Sequence, residues 1–200
     1  MNHLDRIFTP DPATFASAYF DHLSRVLQAI DTGEIQCFIQ ILLAARERGS
    51  TIFFIGNGGS AATASHFAND LAIGTLRSNG GKPFRAVSLT DNTAILTAIG
   101  NDHGYPELFV RQLRVLGQPG DVLVGISASG NSTNLLEAFA YARTRDIATV
   151  AITAFDGGRL RTLADAGIHV PTGLGEYGPA EDAHLILDHL IAAYLTRLPG

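Results

Sequence analysis

The sequence predicts an α/β fold: a three-layer, doubly wound parallel sheet with helices on both faces, preceded by a helical hairpin. Two patterns predict it. From Thr51 onward, short apolar runs rich in β-formers alternate with segments of helical periodicity. Such strands, apolar on both faces, belong in a parallel sheet that is covered on both sides. Ahead of them, residues 1–49 carry helical periodicity only. No linker, low-complexity tract or short repeat interrupts the chain, so residues 1–200 read as a single domain, with N-terminal helices over 1–49 and the sheet core and last helix over 50–200.

Phe15, Tyr19, Leu23, Val26, Leu27 and Ile30 recur at helical spacing and predict a helix from Pro12 to Ile30. "EIQCFIQILLAARERG" predicts a second, stopped by Gly49. The runs "TIFFIG", "FRAVSLT", "DVLVGIS", "ATVAIT" and "GIHVPT" read as strands. Between them, "SAATASHFANDLA", "NTAILTAIG", "PELFVRQLRVLG", "NSTNLLEAFAYARTR" and "GRLRTLADA" read as helices. The last segment, "PAEDAHLILDHLIAAYLTRL", reads as a long helix opened by Pro179 with Glu181 in its first turn.

Charged residues make up 16% of the chain, against about 25% in an average soluble domain, which points to surface buried in a homo-oligomer. The net charge is −5 and there is no basic run, so nucleic acid is not an expected partner. Cys37 is the only cysteine, which rules out an intrachain disulfide and fits a reducing compartment. "MNHLDRIFTPDP" lacks the basic-then-apolar pattern of a signal peptide, and no uncharged apolar run reaches the ~18 residues of a membrane span. A cytoplasmic protein without a membrane partner is expected.

Two strand ends share a design. "IFFI" runs into Gly56-Asn57-Gly58-Gly59-Ser60, and "VLVGI" into Ser127-Ala128-Ser129-Gly130-Asn131-Ser132. In open α/β sheets, ligands bind beyond the carboxyl ends of the strands. Glycines let the backbone approach a ligand, helix N-termini favour anions, and serine hydroxyls add donors without bulk. A phosphate fits Ser127, Ser129 and Ser132. Neither loop matches a nucleotide-binding fingerprint, so a small phosphate ester is expected and no nucleotide cofactor. The plainer reading, that Asn131 or Ser132 only caps a helix, applies to each loop taken singly.

His66 and Asp70 are four apart on one predicted helix and share a face. Glu181 and His189 are eight apart on the last helix, near two full turns, with His184 and Asp188 close by. Two histidines and two carboxylates can hold a divalent metal or move a proton. Asn92, Asn101 and Asp102, around another short helix, can line the same cleft, although capping explains Asn92 equally well.

"GNGGSAATASHFANDL", "TDNTAILTAIGNDHGYPELFVRQLRVLGQPGDVLVGISASGNSTNLLEA" and "AITAFDGGRLRTLADAGIHVP" resemble the sugar isomerase (SIS) domain family, and within it the phosphoheptose isomerases. The resemblance covers most of Thr51 to Pro171. It implies a five-stranded parallel sheet and a homotetramer with its sites between subunits. It implies that Ser127, Ser129 and Ser132 hold a sugar phosphate, with Asn57, Gly58 and Ser60 in the companion loop. It also implies a zinc site at His66, Asp70, Glu181 and His189. The chain departs from that family at several of these positions. Asp70 stands where it has the glutamate base, Glu181 where it has glutamine, Ala128 where it has threonine, and Gly178 where it has an acid. A phosphate-facing arginine aligns near Gly74, with Arg77 the nearest substitute. The resemblance implies an aldose–ketose isomerase of a phosphosugar, sedoheptulose 7-phosphate first, with Asp70 or Glu181 as base and His189 as proton carrier. Another pentose or hexose phosphate is the alternative substrate. The alternative class is a non-catalytic regulator, like the relative in that family that binds a replication initiator.

Overall fold

The computed structural model describes residues 2–76 and 81–198. A short helix, α1 (His3–Ile7), precedes α2 (Pro12–Gln28) and α3 (Thr32–Arg48). Then follow β1 (Thr51–Gly56), α4 (Gly59–Asn69), β2 (Arg85–Ser88), α5 (Thr93–His103), α6 (Val110–Leu116), β3 (Val122–Ser127) and α7 (Thr133–Arg143). The chain closes with β4 (Ala148–Ala154), α8 (Gly158–Leu163), β5 (Ala166–Val170) and α9 (Tyr177–Arg197). Every apolar run that reads as a strand is one.

All five strands are parallel, in the order β2-β1-β3-β4-β5. Side chains alternate between two cores, as the period of a strand requires. Ile52, Phe54, Val122, Val124 and Ile126 face one core, which α3, α4 and α9 cover. Phe53, Ile55 and Leu123 face the other, under α6, α7 and α8. The order reverses at β1: β2 leaves to one side and β3 lies on the other. This places a topological switch point at the carboxyl ends of β1 and β3, where Gly56 pairs with Ile126.

The N-terminal helices are present, with Asp11 and Asp31 as their N-caps and Gly49 ending α3 in the left-handed region at φ 73°. A 67° bend joins α2 to α3, so they pack separately, α2 on α9 and α3 on β5 and β1. The segment "PELFVRQLRVLG" is split between a 3₁₀ turn at Tyr105–Glu107 and α6. The last helix begins at Tyr177, with Pro179 inside its first turn, where no intrahelical amide is required. Among the described residues, no single helix is long and apolar enough to cross a membrane.

Candidate active site

The loop after β1 is held from its neighbours. Asn57 Nδ2 donates to Asn134 Oδ1 at 3.0 Å, Asn134 Nδ2 donates back to Asn57 Oδ1 at 2.8 Å, and the Tyr105 hydroxyl donates to Asn57 Oδ1 at 2.8 Å. The Asn57 side chain therefore braces α7 against the loop, which leaves its backbone to face a ligand. Gly58 has φ 55°, a left-handed conformation that glycine adopts without strain. Ser60 is buried in the first turn of α4. Beside the loop lies a cavity of about 290 Å³, lined by Gly56, Asn57, Gly58, Thr90, Thr97 and Tyr105 among others.

The loop after β3 is also ordered by its own bonds. Ser127 Oγ accepts from the Gly130 amide at 3.1 Å, and Ser129 Oγ accepts from the Asn131 amide at 3.3 Å. Gly130, at φ 62°, is pressed against the next loop: a Cβ there would fall 1.9 Å from the Gly157 carbonyl oxygen. Ser132 is the N-cap of α7 but makes no side-chain cap bond. Its hydroxyl and the N-terminal end of α7 are available to an anion.

Asn92 caps α5, accepting from the Ile95 amide at 3.1 Å, and is exposed. Asp102 is exposed near the other end of α5 and accepts from Asn101 Nδ2 at 2.7 Å. Within one chain, then, Asn92 has a complete structural role. Arg77 lies outside the described residues.

Helices α4 and α9 pack side by side and bring the ionisable groups together. His66 Nε2 lies 3.2 Å from His189 Nε2, with the rings at 70°. His66 Nε2 is 3.6 Å from Asp70 Oδ2. Asp70 opens a π-helical turn, Asp70–Gly74, that continues α4 with a changed register. His66, Asp70, Asp188 and His189 each offer one ligand atom, and all four atoms lie within 4.8 Å of one another. Glu181 is not in this group. Its carboxylate lies over the start of α4, where a Cβ added to Gly59 would fall 2.2 Å from Oε2. Eight residues of helix place it about 12 Å from His189 along the α9 axis.

Asp188 is the member that a reading of the sequence places only nearby. It is 0% exposed, and neither carboxylate oxygen has a hydrogen-bond partner among the described residues. Burial, and then the neighbouring charge of Asp70, push its carboxyl up to about 7. It sits in the buried stripe of α9 with Ala180, His184, Leu187, Ile191 and Leu195. An acid on such a stripe was the signal available. His184, one turn earlier, is also fully buried, and burial holds its imidazole down at about 4.

The donor set suits a divalent cation. Two bare ring nitrogens 3.2 Å apart repel unless a proton or a cation lies between them. A tetrahedral zinc with bonds of about 2.0–2.1 Å spaces its ligand atoms about 3.3–3.4 Å apart. The imidazole pair is already near that spacing.

Comparison with known proteins places these features in a family. Residues 18–154 match the model of the SIS domain. A phosphoheptose isomerase of Geobacter metallireducens is 39% identical over 175 residues, which is 86% of this chain and 90% of that protein. Among solved structures, phosphoheptose isomerase from Neisseria gonorrhoeae superposes with a TM-score of 0.81 at 34% identity, covering 92% of this chain and 97% of that one. A phosphoheptose isomerase from Francisella tularensis gives 0.81 at 25% identity, covering 99% and 100%.

Proposed function

The chain belongs to the SIS domain family, and from that premise we propose that it is an aldose–ketose isomerase converting sedoheptulose 7-phosphate into D-glycero-D-manno-heptose 7-phosphate. The observation that carries this reading is the meeting of His66, Asp70 and His189 on α4 and α9, α4 being the helix that leaves the switch point.

The phosphate docks on the amides and hydroxyls of Ser127, Ser129 and Ser132, with the Asn57–Ser60 loop alongside. That anchor orients the open-chain sugar and turns remote binding energy into positioning. Asp70, half-buried beside both histidines, takes the proton from C1 of the ketose. The electron pair moves to give a cis-enediol, and the proton returns to C2. His189, exposed at the mouth of the group, moves the hydroxyl proton from O1 to O2. Zinc is the metal the donor set favours, with His66, His189 and a carboxylate of the group to hold it. When bound, it supplies Lewis-acid polarisation of the sugar oxygens. Glu181, over Gly59, meets the substrate end of the cleft instead of the proton-transfer end.

Exposed apolar surface also supports an oligomer. None of the residues of α5 is buried, although it carries Ile95, Leu96 and Ile99. Along α9, Ile186, Leu190 and Tyr194 form an exposed apolar row at four-residue spacing, 36%, 45% and 49% exposed. This supports a homo-oligomer, a tetramer by family resemblance, with each site completed by a neighbouring subunit. Phosphorylated sugars do not cross bilayers unaided, so the cytoplasm is the compartment this reading assigns.

The test is incubation of purified protein with sedoheptulose 7-phosphate in D₂O, with and without zinc, followed by NMR. Formation of the aldose with solvent deuterium at C2 is expected. Folded protein that gives neither aldose nor exchange at high concentration ends the assignment.

A further inference from the structure

We infer that Asp188 supplies the carboxylate ligand of a zinc centre formed with His66 and His189, leaving Asp70 beside the metal as the base. The inference rests on the metal-assisted isomerase reading above and names which of this chain's acids performs which task.

Four observations carry it. First, the oxygens of Asp188 and Asp70 and the ring nitrogens of His66 and His189 lie within 4.8 Å of one another, and Glu181 is outside that group. Second, Asp188 is 0% exposed, and neither oxygen has a hydrogen-bond partner among the described residues. A buried carboxylate without a donor is costly unless something compensates it. No Lys or Arg among the described residues forms an ion pair with it or with Asp70. Third, Asp70 already has neighbours: Asn69 Nδ2 donates to its Oδ1 at 3.1 Å, and His66 Nε2 is 3.6 Å from its Oδ2. It is half-buried, which leaves it open to substrate. Fourth, three protein ligands with one open position is the arrangement of a catalytic zinc. Two imidazoles and one carboxylate would fill the three, and Asp70 stands within the same group as the acid left for the sugar. The side chain of Asp70 is one methylene shorter than a glutamate, and a carboxylate from α9 at position 188 meets the metal's need for an anionic ligand.

Zinc binding is measured by competition with a chromophoric chelator, and by the zinc-induced rise in Tm, for the full chain and its Asp188→Asn, Asp70→Asn and Glu181→Gln variants. The unchanged chain is expected to bind one zinc per subunit and to melt about 5–10 °C higher at a hundredfold excess over Kd. Asp188→Asn weakens binding at least about a hundredfold and loses that rise, while Asp70→Asn and Glu181→Gln change it less than about tenfold. The metal-free Asp188→Asn protein melts at or above the metal-free unchanged chain, because a buried charge has been removed; loss of a merely structural contact would lower it. Should Asp188→Asn not fold, Asp188→Cys with cobalt decides. A thiolate-to-cobalt absorption band marks position 188 as a ligand, and its absence in folded protein counts against it. Undiminished zinc affinity in Asp188→Asn, or loss of zinc in Glu181→Gln instead, overturns the inference. So does an unchanged chain that binds no zinc. Isomerase activity is judged separately by the sugar assay, so either conclusion can fail alone.

Discussion

In the loop after β1, the Asn57 amide spends both its oxygen and its nitrogen on Asn134 and Tyr105. Further along α4, four ionisable groups converge, and Asp188 has no hydrogen-bond partner among the described residues. The first region is complete before any ligand arrives. The second holds an unpartnered carboxyl in a buried place. A protein that must hold a phosphate and then move a proton needs both. The holding part gains from rigidity, because ordering it in advance lowers the cost of binding. The reacting part must keep donors and acceptors unspent for substrate and metal.

Variants can sharpen or break that contrast. The largest effect is expected at Asp70. Asp70→Asn should lower kcat by about 10³-fold, roughly 4 kcal/mol of transition-state stabilisation, with little change in KM. Glu181→Gln should stay within about tenfold of the unchanged chain in kcat/KM, since its carboxylate lies over Gly59. Steady-state kinetics of the two variants compare the acids directly; the reverse ranking makes Glu181 the base.

Next is Gly130→Ala. A Cβ at φ 62° would meet the Gly157 carbonyl oxygen, and both chains there are backbone that cannot swing aside. A loss of about 3 kcal/mol in urea denaturation is expected. A near-neutral result would mean that the serine loop is not rigid, and the contrast between the regions would weaken.

Burial outside the reacting group should also show itself through pH. His184 titrates at about 4 in the folded chain because burial disfavours its charged form, against 6.5 when unfolded. Its contribution is therefore fully present above pH 6.5 and is lost as the pH falls through about 4. That difference amounts to about 3 kcal/mol. In His184→Met, where a neutral side chain fills the same space, the decline in stability between those limits should be shallower by that amount. Identical profiles for the two proteins would remove His184 from the account.

The smallest expected effect is Asn134→Ala. It frees Asn57 and should raise KM several-fold with kcat unchanged, at a stability cost of about 1–2 kcal/mol. A fall in kcat instead would place the brace inside the reacting region.

The same contrast explains what could be read from the sequence. The strands are legible because a strand buried on both faces is a continuous apolar run, and "TIFFIG" and "VLVGIS" have no other plausible use. The loops are legible because glycine and serine at strand ends serve few other purposes. Helix α1 is not legible: it has five residues, and its Asn2–Asp5 capping box lies in a stretch without apolar periodicity. Nor is the destination of Glu181, since eight residues along a helix fix a face but not what that face meets. Asp188 is the instructive case. Next to His189, its acid looks like an ordinary polar residue of a helix surface. Its place on the stripe of Leu187, Ile191 and Leu195 is the one sign in the sequence that it turns inward, and the packing of α9 on α4 shows what it meets there.

The imidazoles that meet at 3.2 Å are 123 residues apart in the chain. An ion gripped by both would act as a clasp, tying the final helix to the middle of the chain. It would close a loop of 123 residues in a chain of 200, and a tie across a long loop removes more freedom from the unfolded ensemble than one across a short loop. Loading the clasp would then protect the C-terminal end from trimming by proteases. It would also hold the row of Ile186, Leu190 and Tyr194 in place for a neighbouring copy.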